Sequence, residues 1–287
     1  MFISELKILE TLFWLAYVAV AGGLIYAAVR KPDSLRGKVT AGVVVALAFS
    51  VLPGINAKEA IERKLAQAES AKYREAAWAH FRKRCKEKAG EKISQVIEDV
   101  EGIYLQRPRE KPKESDLRDQ YWMGDPYGLV LYPPAEISQY LRDLDSNGIP
   151  TVKSTEHGGF RFVETPSVGP GFLRHEIDDV GGKVVTLHSD IRHSRYEVSW
   201  EDISISEDRK YWVAGGRLKV LDLSTNEVLG ERVGYVIETS FGSTAGGRRP
   251  WLIAQRNACP PIRRNAAVDR LFVQKVLKPM KEDRHAK

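Results

Sequence analysis

Residues 211–238 read YWVAGGRLKVLDLSTNEVLGERVGYVIE and carry the clearest strand pattern of the chain. Apolar and polar residues alternate on both sides of the polar segment 224–227. Such alternation is typical of two antiparallel strands joined by a hairpin turn, with one face of the sheet in water. The stretch therefore predicts a hairpin of strands at 211–223 and 228–238.

The same alternation extends toward the N-terminus of the hairpin and predicts further strands of the same sheet. They lie at residues 160–164, 172–177, 183–188 and 196–203. Helical spacing of apolar residues predicts helices at 135–144 and at 268–277. Residues 106–119 show no apolar rhythm and are predicted to form a surface loop.

A long helix is predicted to begin near residue 56, where Asn56 and Glu59 form a capping-box pattern. Apolar residues recur at helical spacing as far as Val100, and a bend is expected at Gly90. The predicted fold class is therefore α+β: an antiparallel sheet with helices from both ends of the chain covering one face.

Two uncharged stretches precede this helix, at residues 11–29 and 39–55. At about 1.5 Å per residue, the first covers most of a bilayer core of about 30 Å, and the second is at the short end of the spanning range. The pattern predicts a transmembrane helical hairpin at residues 1–55 and a soluble domain at 56–287. The alternative is a cleaved signal peptide followed by a buried helix, although the start MFISELK lacks the basic region of a signal peptide.

The connection between the two stretches, RKPDSLRGK, holds four basic residues and one acidic residue. Because short basic loops stay in the cytoplasm, both termini are expected in the periplasm of a bacterium, with the chain anchored in the inner-membrane lipid. The basic stretch 58–92 argues for the opposite orientation, although acidic residues intersperse it. The net charge of +6 is too small to indicate nucleic-acid binding.

The chain has two cysteines, Cys85 and Cys259. In an oxidising compartment an even number of cysteines suggests a disulfide, which over so long a loop is worth about 4 to 5 kcal/mol in the chain-entropy model. Two separate buried thiols are the alternative. No zinc-type spacing of Cys and His occurs in the sequence, so neither a metal nor another cofactor is predicted.

Small residues recur every fourth position in the two predicted spans, a pattern that lets membrane helices approach closely. The two helices are expected to pack through these residues, unless one such face pairs with another copy of the chain or simply reflects the composition of membrane helices. The residues are Ala19, Gly23, Ala27, Gly42, Ala46 and Ser50.

Candidate partner-binding residues come from an aromatic cluster and from the end of a Gly-rich run. Tyrosine, tryptophan and arginine dominate protein interfaces, whereas packing in the core is the alternative for each aromatic ring. The Gly-rich run 242–249 lacks the Gly-Lys-Ser/Thr ending of a phosphate loop. The candidates are Tyr121, Trp122, Tyr127, Tyr132, Arg248, Arg249 and Trp251.

Four histidines, His157, His175, His188 and His193, lie close together in the sequence. Their spacing fits neither a helical ligand pair nor alternate ligands on a strand, and no hydrolase motif is present, so no catalytic residue is assigned. An envelope enzyme that uses segment 157–193 remains an alternative hypothesis. A structural subunit of an envelope complex is another, suggested by the small-residue faces.

Several short motifs resemble those of a family of membrane-anchored proteobacterial proteins, over roughly residues 80 to 278. The motifs are Arg84-Cys85, 89–93, 99–103, 119–121, 124–128, 208–215, 246–248, Pro250-Trp251 and 257–260. They carry no assigned chemistry. The resemblance implies an association with lipase-like type VI secretion effectors, and hence an immunity role.

The leading hypothesis is a non-enzymatic, membrane-anchored protein whose periplasmic domain binds another protein, a toxin or an envelope component.

Overall fold

A computed structural model of the chain describes residues 2–30, 34–127, 135–142, 158–178, 182–262 and 267–280. The chain divides into two compact units, Met1–Lys72 and Tyr73–Lys287. The predicted change from a membrane hairpin to a soluble domain after residue 55 concerns the bilayer and stays a prediction.

The first unit is helical. Helix α1 (Phe2–Arg30) precedes α2 (Leu35–Lys88), which begins in this unit and ends in the second. Within the described residues, the segment Leu12–Arg30 of α1 is the one helix found to be long and apolar enough to cross a membrane. The second predicted span lies inside α2 and is not identified by this criterion, so the two-helix hairpin stays a prediction.

The helices of the first unit touch through a different face of α1 from the one predicted. The Tyr17 hydroxyl donates a hydrogen bond to the Phe49 carbonyl at 2.7 Å, and the two rings lie 5.3 Å apart. Gly42 does lie at the contact, because a Cβ atom there would be 3.2 Å from Val29 Cγ2. The other small residues with described side chains are exposed; they are Ala19, Gly23, Ala27 and Ala46. The side chain of Ser50 lies outside the described part.

The second unit is α+β. Its strands are β1 (Gly90–Ile93), β2 (Ile97–Val100), β3 (Gly102–Leu105), β4 (Phe162–Pro166), β5 (Phe172–Ile177), β6 (Val184–Ser189), β7 (Tyr196–Asp202), β8 (Val213–Asp222), β9 (Glu227–Ile237), β10 (Ala258–Cys259) and β11 (Leu277–Pro279). Besides the end of α2, its α-helices are α3 (Ala135–Leu141), α4 (Ser206–Lys210), α5 (Pro250–Ala254) and α6 (Val268–Val276). The six predicted strands and the two predicted short helices are confirmed as β4–β9, α3 and α6.

Nine described strands form one mixed sheet in the order β1-β9-β8-β7-β3-β4-β5-β6, with β10 also paired to β9. The predicted all-antiparallel sheet is wrong at its centre, because β3 runs parallel to both β4 and β7. A long connection separates β3 from each of these neighbours, and only such connections can join parallel strands.

The predicted long helix ends earlier than expected. It stops at Lys88, and Gly90 follows with φ of +145°, a backbone conformation that only glycine adopts readily. The apolar residues between Ile93 and Val100, which suggested more helix, belong to β1, the following turn and β2. Short apolar segments fit both the helical repeat and the strand repeat, so the spacing of apolar residues alone could not distinguish a strand from a helix here.

Helices cover both faces of the sheet, whereas the sequence predicted cover on one face. Ala77 and Phe81 of α2 pack against Val213 of β8, while the next residue, Ala214, packs against Trp251 of α5. Adjacent strand residues point to opposite faces, so α2 and α5 lie on opposite sides. Helices α3 and α6 pack on the α5 side, over the largest apolar cluster.

The predicted disulfide between Cys85 and Cys259 is confirmed. Both cysteines lie beside the same edge of β9, because β1 begins opposite Val233 and Cys259 of β10 pairs with Tyr235. The bridge therefore ties the end of α2 to the segment that follows α5.

An ion-pair cluster fixes the same end of α2 to α4. The buried carboxylate of Asp208 accepts hydrogen bonds from Arg84 Nε and from the backbone N–H of Ile205, at 2.6 and 2.9 Å, and lies 2.6 Å from His80 Nε2. Charge-assisted bonds of this kind are among the stronger ones in proteins. Arg84, Asp208 and the two cysteines all belong to the motifs that carry the family resemblance, so these motif residues have a structural role.

Candidate partner-binding surface

A buried guanidinium, that of Arg109, holds the segment that carries the candidate aromatic residues. Its Nη2 donates to Asp125 Oδ2 at 2.8 Å, and its Nη1 lies 2.8 Å from Glu136 Oε1 and 2.7 Å from Asp269 Oδ2. The segment after β3 is thereby joined to the start of α3 and to α6. The prediction of a surface loop at 106–119 is wrong at this point, because Arg109 and Leu117 are buried.

The cluster places three carboxylates around one cation. Burial raises the pKa of Glu136 above its ordinary value, and the nearby guanidinium of Arg109 offsets only part of that rise. Burial alone would lower the pKa of Arg109, but the carboxylates of Asp269, Asp125 and Glu136 hold it well above the usual value. Arg109 is therefore always charged, and the Glu136 carboxyl takes up a proton more readily than an exposed glutamate as the pH falls.

The Glu136 carboxyl predicts a pH dependence of stability. Because its pKa is raised in the folded state, the folded chain binds more protons there than the unfolded chain from the ordinary pKa of about 4.3 upward. Its contribution is thus greatest at low pH and declines as the pH rises through that window. Glu136→Gln removes this titration, so the stability of the variant relative to the wild type should increase from about pH 4 to pH 7. Denaturant unfolding of both chains measures this difference. If the free energies of unfolding of the variant and the wild type changed with pH in parallel across this range, the assignment would be contradicted.

The aromatic segment packs directly against α5. Trp251 Nε1 donates a hydrogen bond to the Asp119 carbonyl at 2.6 Å, and Arg249 Nη1 forms an ion pair with Glu114 Oε1 at 3.0 Å. The side-chain amide of Gln120 donates to the Arg209 carbonyl at 2.8 Å. Residues 114–123 and 248–252, which are distant in sequence, therefore form one continuous surface.

We call the exposed part of these two segments the aromatic surface, defined by Tyr121, Met123, Arg248, Arg249 and Leu252. The exposed fractions of Tyr121, Met123 and Leu252 are 55%, 76% and 45%. Large apolar side chains grouped with arginines on a monomer surface are typical of protein-binding sites. Met123 and Leu252 were missed in the sequence, although each is the immediate neighbour of a predicted tryptophan.

The other predicted candidates have different positions. Trp122 is partly buried and lines a cleft beside the aromatic surface. Trp251 and Tyr127 are buried, so core packing, the alternative considered for the aromatic rings, accounts for both. Tyr127 accepts a hydrogen bond from Arg232 at 2.7 Å, and burial raises the pKa of its phenol to about 12. Tyr132 lies outside the described residues.

The Gly-rich run that supplies Arg248 and Arg249 has a defined internal structure. The buried carboxylate of Glu238 accepts hydrogen bonds from the backbone N–H groups of Ser240 and Gly242, at 2.8 and 2.9 Å. Gly242 has φ of +81° and lies against the Trp212 ring, where a larger residue would not fit. The run is therefore a structured loop, and its start, which precedes the two arginines, is held in place by hydrogen bonds and by packing.

The described histidines have separate partners. His175 is buried in the sheet between the hydroxyls of Thr165 and Thr186, at 3.0 and 2.9 Å, and burial lowers its pKa. His188 is exposed, 3.6 Å from Asp190. His157 lies outside the described residues. In the described part of the chain, no group of three or more His, Cys, Asp or Glu residues is arranged to hold a metal ion.

Comparison of the chain with protein-family models, with curated proteins and with solved structures finds no match. The family resemblance and the role that it implies therefore stay predictions.

Proposed function

We propose that this chain is a membrane-anchored binding protein that recognises another protein through the aromatic surface. The surface belongs to the second unit, Tyr73–Lys287, which we propose to lie in water and call the soluble unit. The observation that carries the proposal is the exposure of Tyr121 and Met123 on a segment fixed by the buried Arg109 cluster. Exposed apolar side chains on a rigid base lose little conformational entropy on binding, and this favours a protein interface.

The membrane anchor is proposed to be the two-helix hairpin of residues 11–29 and 39–55, with the basic connector in the cytoplasm. The apolar segment Leu12–Arg30 and the Tyr17–Phe49 contact in the first unit support this arrangement. The hairpin would place the soluble unit in the periplasm of a bacterial inner membrane. The disulfide supports that location, because such bridges persist in oxidising compartments.

The partner is proposed to be a secreted toxin, which the soluble unit neutralises. The resemblance to membrane-anchored proteobacterial proteins implies a lipase-like type VI effector, and periplasmic placement suits a defence against enzymes that attack membrane lipid. Deleting the gene should make the cells sensitive to the effector encoded beside it, as measured by survival in competition with a strain that delivers that effector. Unchanged survival would contradict the immunity role.

The double variant Tyr121→Ser, Met123→Ser tests the aromatic surface. Loss of these two apolar contacts should weaken binding to the effector by about 30-fold or more, since a single hot-spot residue contributes about 2 kcal/mol or more. The matched control is Leu187→Ser, Ile191→Ser, because these side chains are similarly exposed, at 53% and 63%, but lie elsewhere in the sequence and on β6 and the turn after it. If the Tyr121→Ser, Met123→Ser variant bound the effector as tightly as the control variant, this surface would not be the binding site.

A further inference from the structure

A cleft of about 210 Å³ adjoins the aromatic surface. Its walls combine apolar side chains with cations. The apolar residues are Trp122, Met123 and Trp200, and the cations include Arg107, Lys111 and Lys113. The Arg107 guanidinium lies over the Trp200 ring, 4.2 Å from the ring centre, a geometry typical of a cation–π interaction. The cleft is therefore built to accept a group with a charged end and an apolar body.

Trp200 lines the cleft, and its indole N–H is a hydrogen-bond donor for which the described residues supply no acceptor. Trp200 Nε1 is buried, and it has no hydrogen-bond partner among the residues that the structure describes. A buried donor left unpaired destabilises the folded chain, and binding of an acceptor would remove that cost. Such a group next to a cleft calls for an explanation, and a ligand oxygen that reaches it when Arg107 moves aside supplies one.

Three cations of the cleft have no carboxylate partner in the part of the chain that the structure describes. Within the described parts of the chain, the side chains of Arg107, Lys111 and Lys113 form no ion pair with a carboxylate, whereas Arg109, below them, is fully engaged by its three acids. Three acids also line the cleft: Glu110, Asp116 and Asp125. Asp116 accepts a hydrogen bond from the Lys113 backbone, and Asp125 belongs to the Arg109 cluster. With Arg109 included, four cations against three acids leave one net positive charge, which suits a monoanion better than a dianionic phosphate.

We propose that this cleft binds a carboxylate of the protein partner, either an acidic side chain or a chain terminus. In the bound state the Arg107 guanidinium turns from the Trp200 ring to the carboxylate, and the uncovered Trp200 Nε1 donates a second hydrogen bond to it. The neighbouring apolar residue of the partner packs on Trp122 and Met123. The assignment rests on the proposed function, because it names the chemistry that the partner must offer next to the aromatic surface.

The Trp200 indole gives a direct spectroscopic test. The chain has six tryptophans, so the full-length protein labelled with ¹⁵N-tryptophan, in zwitterionic detergent, should give six indole N–H signals. Trp200→Phe identifies the Trp200 signal by its loss. A blocked pentapeptide with one glutamate between leucine and phenylalanine should move this signal downfield in a saturable manner, because a hydrogen bond to a carboxylate forms. The same peptide with glutamine should leave the signal in place.

A matched pair of arginine variants tests the charge contact. Arg107→Gln should weaken binding of the glutamate peptide by about tenfold or more, the typical value of a hydrogen bond to a charged group. Arg118→Gln is the matched control, because Arg118 is an exposed arginine that lies outside the cleft lining and 3.7 Å from Glu114. It should bind the peptide like the wild type.

Three results would overturn the proposal: a Trp200 signal that neither peptide moves, equal shifts with both peptides, or a shift caused only by added phosphatidylglycerol. The last result would assign the cleft to a lipid headgroup. If cells lose immunity with Tyr121→Ser, Met123→Ser but keep it with Arg107→Gln, the cleft assignment fails while the proposed function stands.

Discussion

Replacing both cysteines, Cys85→Ser with Cys259→Ser, is expected to lower the free energy of unfolding of the soluble unit by about 5 kcal/mol. The bridge closes a loop with a sequence separation of 174 residues. In the chain-entropy model, opening a loop raises the conformational entropy of the unfolded chain, and the gain is larger for a longer loop. That loss would equal a large part of the stability of an ordinary domain. Denaturant unfolding of the purified full-length chain, followed by tryptophan fluorescence without reductant, measures it.

The two single variants are the internal controls for this prediction. Each opens the same loop, so each should be about as unstable as the double variant, and adding reductant to the wild type should give the same result. A double variant that unfolds within about 1 kcal/mol of the wild type would show that the loop closure contributes little. Local opening should concentrate at β10, whose two residues are held at the edge of β9 beside the bridge.

The same cysteines report the compartment of the soluble unit in living cells. In the periplasm both thiols should be protected from alkylating reagents until a reductant is added, because the bridge is maintained there. In the cytoplasm they would react without reduction. A free thiol population in intact cells would thus contradict the proposed location, whether or not the bridge forms after purification.

Regular alternation made part of this fold predictable. The two long strands β8 and β9 have one face against α2 and the other against α5 and α6, and their polar turn is visible in the sequence. The central strand β3 was not predictable in this way. All four of its residues, Gly102–Leu105, are buried, so no alternation marks the strand, and its parallel neighbours are set by connections that sequence spacing does not describe.

The candidate site was predictable in its composition but not in its layout. Tyr121 and Trp251 have equally interfacial residue types, yet Tyr121 is exposed whereas the Trp251 ring is buried with its N–H bound to the Asp119 carbonyl. Burial of a given ring depends on which distant segment packs over it, and no local signal in the sequence reports that. Arg109 was harder still, because it lies in a charged stretch whose composition indicates a solvated loop.

Arg109→Met is expected to destabilise the soluble unit by about 3 to 5 kcal/mol, the second large effect. The methionine fills much of the volume of the arginine but leaves the buried carboxylates of Asp125, Glu136 and Asp269 without their common cation. Removing one partner of a buried ion pair costs this much stability because the charges that remain are buried away from water without a counter-ion. Arg161→Met is the matched control: its ion pair with Glu101 is half exposed, so the change should cost about 1 kcal/mol or less.

The pH dependence of this loss identifies its cause. Burial raises the pKa of Glu136 and Arg109 offsets part of that rise, so without the guanidinium this carboxyl should favour folding only when protonated. The deficit of Arg109→Met relative to the wild type should therefore shrink as the pH falls from about 7 to about 4, whereas a loss of packing alone would give a constant deficit. Because Arg109 also fixes the segment that carries Tyr121 and Met123, the variant should bind the partner more weakly even where it remains folded. Full binding by a destabilised Arg109→Met chain would separate the buried cluster from the aromatic surface and contradict the role proposed for it.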